Sequence, residues 1–261
     1  MTAKQFAELI TKDEFPLSSR YDADWVLECE MGPNALWLTE WLTEKMNLQP
    51  GMRVLDMGCG RGLSSVFLVR EFGVRVWAAD LWIHPNENWK RVQRFEMEDY
   101  IFPMHCEAHR LPFPEGFFDA IVSLDSYHYY GTDDMFIEKF SKLVKPGGQL
   151  GIVVPGFMKE PGDQPPACLT KPRKDGGVFW ADECWAFHTN DWWKRHWDKM
   201  GCVDVELADT LEDGWKHWMD WENALEASGK EMMFPSEAGP LEEDQGEYMG
   251  FVRMIARRSG G

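Results

Sequence analysis

No stretch of the 261-residue chain stays apolar for long. Runs such as Ala120–Val122 and Gly151–Pro155 hold only a few such residues, whereas crossing a bilayer takes about 20. A membrane-spanning helix is excluded. Met1–Thr11 has one Lys, an early Glu and no apolar region behind it, so it does not read as a signal peptide. The cytoplasm is the expected home. Basic charge is also scarce, with 27 Lys and Arg against 44 Asp and Glu, a formal net charge of −17. Affinity for nucleic acid comes largely from neutralising phosphates, and the one basic concentration, Lys171–Lys174, abuts an acid. DNA, RNA and anionic membrane are not expected as partners, and a negative field of this kind favours cationic ligands. The six cysteines form no CxxC pair and have no His at zinc-finger spacing, so no metal site and no disulfide scaffold is expected. They read as small buried hydrophobes, with a thiol or metalloid site assembled in space left open.

Tryptophan is abundant, with 14 residues. Trp180, Trp185, Trp192, Trp193, Trp197, Trp215, Trp218 and Trp221 crowd into one region between expected strands. Ahead of them the hydrophobic pattern alternates between short apolar runs and amphipathic stretches. Asn34–Met46 reads as a helix with Leu38, Trp41, Leu42 and Met46 on one stripe, stopped by Gln49-Pro50-Gly51. Arg53–Met57 reads as a strand, Leu63–Phe72 as a helix, Arg75–Ala79 as a strand, 86–100 as helix-compatible and Phe102–His105 as a strand. Asp119–Leu124 is a buried-strand pattern. Thr132–Val144 is amphipathic, with Met135, Phe136, Phe140 and Leu143 on one side, and Lys145-Pro146-Gly147-Gly148 breaks it before a strand at Gln149–Val154. Residues 155–177 are rich in Pro and Gly and read as a loop or lid. A helix at Asn190–Met200, a strand at Cys202–Leu207, a helix at Gly214–Met232 and a strand at Tyr248–Arg257 complete the chain. Alternation of this kind implies an α/β fold with a parallel sheet covered on both faces.

The sharpest local signal is Val54-Leu55-Asp56-Met57-Gly58-Cys59-Gly60-Arg61-Gly62, a strand running into a Gly-rich turn that opens a helix. Glycines there let the backbone approach a ligand and present N–H donors at a helix start. A dinucleotide loop must hold a pyrophosphate, and Asp56 immediately before the glycines opposes that. An acid so placed suits a ligand with a cationic group. Asp80 closes the next strand, where a carboxylate can accept ribose hydroxyls. A Rossmann domain for another nucleotide is the bland alternative.

The arrangement resembles the class I S-adenosylmethionine-dependent methyltransferases of the small-molecule type. Their V-L-D-x-G-C-G-x-G pattern is met at Val54–Gly62. The likeness runs on through Asp80, Leu111-Pro112-Phe113, Phe118–Val122 and Leu143–Gly148, about residues 50–155 in all. It implies a Rossmann-like, doubly wound, seven-stranded sheet, mostly parallel with an antiparallel last strand, plus N-terminal helices and a Trp-rich cap. The whole chain, 1–261, is then one domain: an N-terminal helical segment at 1–50, a cofactor-binding core at 51–154, a lid and cap insertion at 155–201, and final strands with a Trp-rich helix at 202–261. S-adenosyl-L-methionine is the implied cofactor. Asp56, Gly58, Cys59 and Gly60 would line its methionine end, Asp80 would hold its ribose, and Leu81 or Trp82 would pack on its adenine. Glu107-Ala108 stands where the family usually has Asp-Ala at the adenine edge, and Asp125 would lie beside the methionine portion and the substrate.

Ser123–Gly131 follows the fourth strand and crowds Asp125, Tyr127, His128, Tyr129 and Tyr130 into one turn. Ligands bind at that edge of open α/β sheets, so the segment is expected to line a substrate pocket. The family usually carries a His here, which His128 matches, and the Asp-x-x-x-His spacing looks like that of some small-amine and phosphobase N-methyltransferases. His128 is then a candidate general base, with Asp125 or Tyr127 as orienter or anchor; a structural role for His128 is the alternative. In Gly214–Met232, Trp215, Trp218, Trp221 and Leu225 share a helix face, either packing on the sheet or walling the pocket with Trp180, Trp185, Trp192 or Trp193. Aromatic faces hold cations and flat apolar substrates alike. An amine is the expected methyl acceptor. O- or S-methylation of a small aromatic or thiol, or a non-catalytic cofactor-binding domain, remain open alternatives, as does a homodimer.

Overall fold

The computed structural model describes residues 1–173 and 176–260. Lys174, the end of the basic cluster, and Asp175, within the expected lid, lie outside the described residues. Strand β1 (Arg53–Met57) pairs in parallel with β2 (Arg75–Asp80) on one side and β4 (Phe118–Leu124) on the other. β3 (Ile101–His105) extends one edge, and β5 (Val144–Phe157) lies beside β4, both in parallel. β7 (Met249–Arg258) inserts antiparallel between β5 and β6 (Val203–Thr210). The seven-stranded order is β3-β2-β1-β4-β5-β7-β6. The expected Rossmann-like sheet is present, including its antiparallel last strand.

Alternate strand residues feed two cores. Val54, Val122, Val153 and Phe251 face one, with helices α1 (Ala3–Ile10), α2 (Ala23–Glu28), α3 (Ala35–Thr43), α4 (Leu63–Phe72), α5 (Pro85–Arg94) and α8 (Gly214–Ser228). Leu55, Ile121, Ile152 and Val252 face the other, with α6 (Phe136–Lys142) and α7 (Asn190–Asp198). α9 (Ala238–Asp244) packs on α8. The period-two alternation on buried strands places a helical layer on each face. Among the described residues no helix is long and apolar enough to cross a membrane.

Two local expectations need correction. Lys145–Gly148 does not break the chain before a strand, because β5 begins at Val144 and carries those residues through a register shift against Phe118 and Ala120. Gly148 permits this, since a Cβ there would stand 2.5 Å from the Asp119 carbonyl oxygen. The amphipathic stretch 132–144 yields only α6, with Met135 capping it and half exposed rather than facing the core.

The chain runs outward from β1 to β2 and β3 and then returns to β4 on the other side. The carboxyl ends of β1 and β4 therefore flank a switch point, the place where open α/β sheets bind ligands. α8 leans on α1, and Trp221 donates its indole N–H to the Gly32 carbonyl at 2.8 Å. The Trp-rich helix and the N-terminal helices thus close over this end of the sheet together.

Candidate active site

A cavity of about 260 Å³ opens at the switch point. Its floor is Met57, Gly58, Cys59 and Gly60 after β1, and its sides are Asp80, Leu81 and Trp82 after β2 and Glu107 and Ala108 after β3. Asp125, Ser126, Tyr129 and Tyr130 after β4 line it as well, as do Cys29, Glu30, Met31 and Pro33 near the N-terminus and Trp221 of α8. Gly58 and Gly60 have positive φ. At Gly58 a Cβ would meet Ser126 Oγ at 2.1 Å, so the turn needs glycine for both conformation and space. Ser126 Oγ in turn donates to the Met57 carbonyl at 2.9 Å, locking the ends of β1 and β4 to each other.

Asp80 ties this floor to its wall. Its Oδ2 accepts from Gly60 N–H at 2.8 Å, and its Oδ1 accepts from Trp82 N–H at 2.7 Å and Ile83 N–H at 2.8 Å. A carboxylate has about four acceptor positions, so at least one is left toward the cavity. Leu81 and Trp82 are half-exposed beside it, an apolar surface that a flat ring would cover. Glu107 also lines the cavity, but its Oε1 is already taken by His109, by the backbone N–H at 3.0 Å and by Nδ1 at 2.7 Å. Those contacts hold its carboxyl below the usual range.

Three expected residues stand elsewhere than on this wall. Asp56 is fully buried behind the loop, its Oδ2 accepting from Ser64 and Ser65 hydroxyls at 2.6 Å each. It fixes the start of α4 rather than touching the cavity, and burial pushes its carboxyl up to about 6. Tyr127 points to the opposite core, where its ring packs against Phe136, Phe140, Trp193 and Trp197. His128 is buried against Tyr129 and Phe187, and among the described residues its Nδ1 finds no partner. Burial pulls its pKa down to about 3, so it is neutral and a weak proton acceptor. The structure brings neither Tyr127 nor His128 to the cavity.

Asp125 does reach it, and holds φ = +51° to do so. Such a conformation is strained for a residue other than glycine and concentrates at functional sites. Gly32 makes room, because a Cβ there would lie 3.0 Å from Asp125 Oδ2. Asp125 also borders a second cavity of about 210 Å³, which shares Glu30, Met31, Pro33, Trp82 and Tyr129 with the first. The remaining wall of this second cavity includes Phe179 and Glu183 from the 155–201 insertion, Trp218 and Glu222 from α8, and Phe234 and Glu237 ahead of α9. Burial raises the Asp125 carboxyl well above its ordinary range, with the Glu183 and Glu222 charges adding to it. Glu222 is pushed up to about 7, again by burial first.

A family model for a methyltransferase domain matches residues 55–152, from β1 into β5. That segment carries a methyltransferase domain, and in its motifs and strand order the chain is similar to the class I S-adenosylmethionine-dependent methyltransferases. This methyltransferase acts on a small molecule, with S-adenosylmethionine as its cofactor. It is 26% identical to erythromycin 3''-O-methyltransferase of Saccharopolyspora erythraea, over 85% of this chain and 78% of that one. It is 30% identical to phosphoethanolamine N-methyltransferase 1 of Zea mays, over 48% of this chain, and spans only 24% of that relative. Among solved structures, Haemonchus contortus phosphoethanolamine N-methyltransferase 2 with S-adenosyl-L-methionine superposes with a TM-score of 0.69 at 17% identity, covering 98% of this chain and 60% of that one.

The residues present fit the cofactor. A glycine floor that tolerates no Cβ, a part-engaged carboxylate at Asp80 and an open aromatic surface at Trp82 meet the needs of a nucleoside with a charged tail. Sequence reasoning missed the N-terminal wall of the first cavity, Cys29, Glu30, Met31 and Pro33, and the acids Glu222 and Glu237 of the second. The Gly32-Pro33 pair before the Asn34 helix cap was the available signal for the former. Trp218 and Trp221 line the cavities as the sharper expectation had it, whereas Trp180, Trp185, Trp192 and Trp193 do not. All six cysteines are free, and Cys29 and Cys59 stand on the first cavity's wall with thiols raised by burial.

Proposed function

We propose that this methyltransferase methylates the nitrogen of a small amine. The observation that carries the reading is the second cavity, which opens from the cofactor cavity at Asp125 and is walled by carboxylates and aromatic rings. Carboxylates draw an ammonium out of water, and Trp218, Phe179 and Tyr129 add faces that attract cations. When bound, the cofactor supplies a sulfonium methyl: the nitrogen–carbon bond forms as the carbon–sulfur bond breaks, and that electron pair stays on sulfur. An amine attacks only when neutral. Asp125, at the junction, is the group placed to accept the ammonium proton, and its raised affinity for a proton suits it to the task. Tyr129 and Trp82 flank the same junction, excluding water and limiting how the acceptor is presented.

A second reading, O-methylation, draws on the 26% identity to an O-methyltransferase over 85% of the chain and on the aromatic wall, which fits a phenol. A panel of amines, phenols and thiols, incubated with labelled cofactor and read by mass spectrometry, separates the two. Turnover of amines with a rate that rises with pH is the expected result. Turnover confined to phenols or thiols would overturn the amine reading.

A further inference from the structure

The second cavity is acidic on more sides than one bound ammonium requires. Glu30, Asp125, Glu183, Glu222 and Glu237 face it, against Arg173 alone among the described basic side chains. Three of these acids already have partners, Glu183 accepting from the Tyr129 hydroxyl at 3.5 Å. Glu30 accepts from Met233 N–H at 3.2 Å and Glu222 accepts from Glu237 N–H at 3.2 Å, holding the loop before α9 in place. Asp125 and Glu237 differ. Among the described residues nothing donates a hydrogen bond to either carboxylate, and each is part-buried with cavity space in front of it. A carboxylate partly withdrawn from water without a donor carries a desolvation cost. Asp125 also feels the charges of Glu183 and Glu222, and Glu237 those of Glu222, Asp125 and Glu183, with Arg173 acting on Glu237 in the opposite direction.

Their placement is unequal. Asp125 borders both cavities, whereas Glu237 and Glu222 border only the second. Among the described residues, no three acidic, His or Cys side chains gather in a way that could hold a metal ion. Acids distributed along a wall suit separated positive charges better than a single ion.

Resting on the amine reading above, we infer that the substrate is a small diamine or polyamine, with its reacting nitrogen at Asp125 and a second ammonium at Glu237 and Glu222. The second charge resolves a conflict in the chemistry. A monoamine is drawn into an acidic cavity as a cation and must then lose the charge that held it there. A diamine keeps one ammonium anchored while the other nitrogen gives its proton to Asp125 and attacks. The anchored charge also lowers the pKa of the reacting nitrogen, favouring its neutral form. Phe179 and Trp218 offer apolar surface to the methylene chain between them.

The test compares diaminobutane, aminobutane and aminobutanol as acceptors at saturating S-adenosylmethionine, in the parent and in Glu237→Gln and Glu222→Gln. S-adenosylhomocysteine affinity, read by calorimetry at the first cavity, checks that each variant is folded. The diamine should exceed both monoamines at least tenfold in kcat/KM, and each Gln substitution should cut that preference severalfold. Equal kcat/KM for the three acceptors, or a preference unmoved in both folded variants, would overturn the diamine inference and leave the amine reading standing. Absence of turnover with every amine overturns both.

Discussion

Asp125 and His128 stand three residues apart, yet their surroundings give them opposite capacities. Asp125 faces cavity space with a carboxyl raised by burial, while His128 is sealed among aromatic rings with an imidazole held near pKa 3. Asp125→Asn should therefore lower kcat by ~10²-fold or more, within the range for loss of a general base. His128→Gln should leave the pH profile of kcat unchanged. A variant pair that behaves the other way round would return the proton to His128. Gly58 gives a second residue-scale test. A Cβ added there would press on Ser126 Oγ at 2.1 Å, so Gly58→Ala should weaken S-adenosylhomocysteine binding at least tenfold by calorimetry. Adding Ser126→Gly should recover part of it, and full affinity in Gly58→Ala would show that the floor yields more easily than its geometry implies.

At the scale of elements, the sheet was legible because its central strands, β1, β4 and β5, are buried on both faces and read as short apolar runs. β1, β2, β4 and the helix α4 between β1 and β2 fall where the pattern placed them. The misreadings have physical causes. Lys145–Gly148 looks like a breaker, yet Gly148 lets β5 bulge past the Asp119 carbonyl. The cofactor loop was readable since glycine chemistry is local, but Asp56 was placed on the cavity wall when its serine partners hold it behind. The second cavity was not readable, for its wall comes from segments far apart in the chain: Glu30, Glu183, Glu222 and Glu237 share no local pattern. One of these segments invites a direct measurement. Phe179, Ala181 and Glu183 line the second cavity from a stretch with little regular structure. Peptides covering 176–187 should exchange amide hydrogen more slowly once cofactor product and an amine are bound together. Equal exchange in both states would leave the segment as a fixed wall rather than a closing one.

For the whole molecule, the excess of acid has a cost concentrated at the site. Glu222 is almost fully buried, and burial together with the nearby Glu30 and Glu226 charges raises its carboxyl to about 7 from an ordinary 4.5. The folded state therefore holds the Glu222 proton more tightly than the unfolded chain does. Stability from this group is complete below about pH 4.5 and is lost as pH climbs through 7. The loss amounts to up to about 3 kcal/mol. His128 works in the opposite direction at lower pH, because a buried imidazole that stays neutral favours unfolding until the unfolded chain also loses its proton. The parent's own pH profile mixes these contributions, but the difference between parent and Glu222→Gln isolates the carboxyl. Urea unfolding of ligand-free protein at pH 5 and at pH 8 gives that difference directly. The Gln variant should gain on the parent between the two conditions by an amount approaching the linkage value. An unchanged difference would mean that Glu222 titrates normally, and with it the argument that the second cavity stores unpaired acid for a cationic substrate would lose its energetic basis.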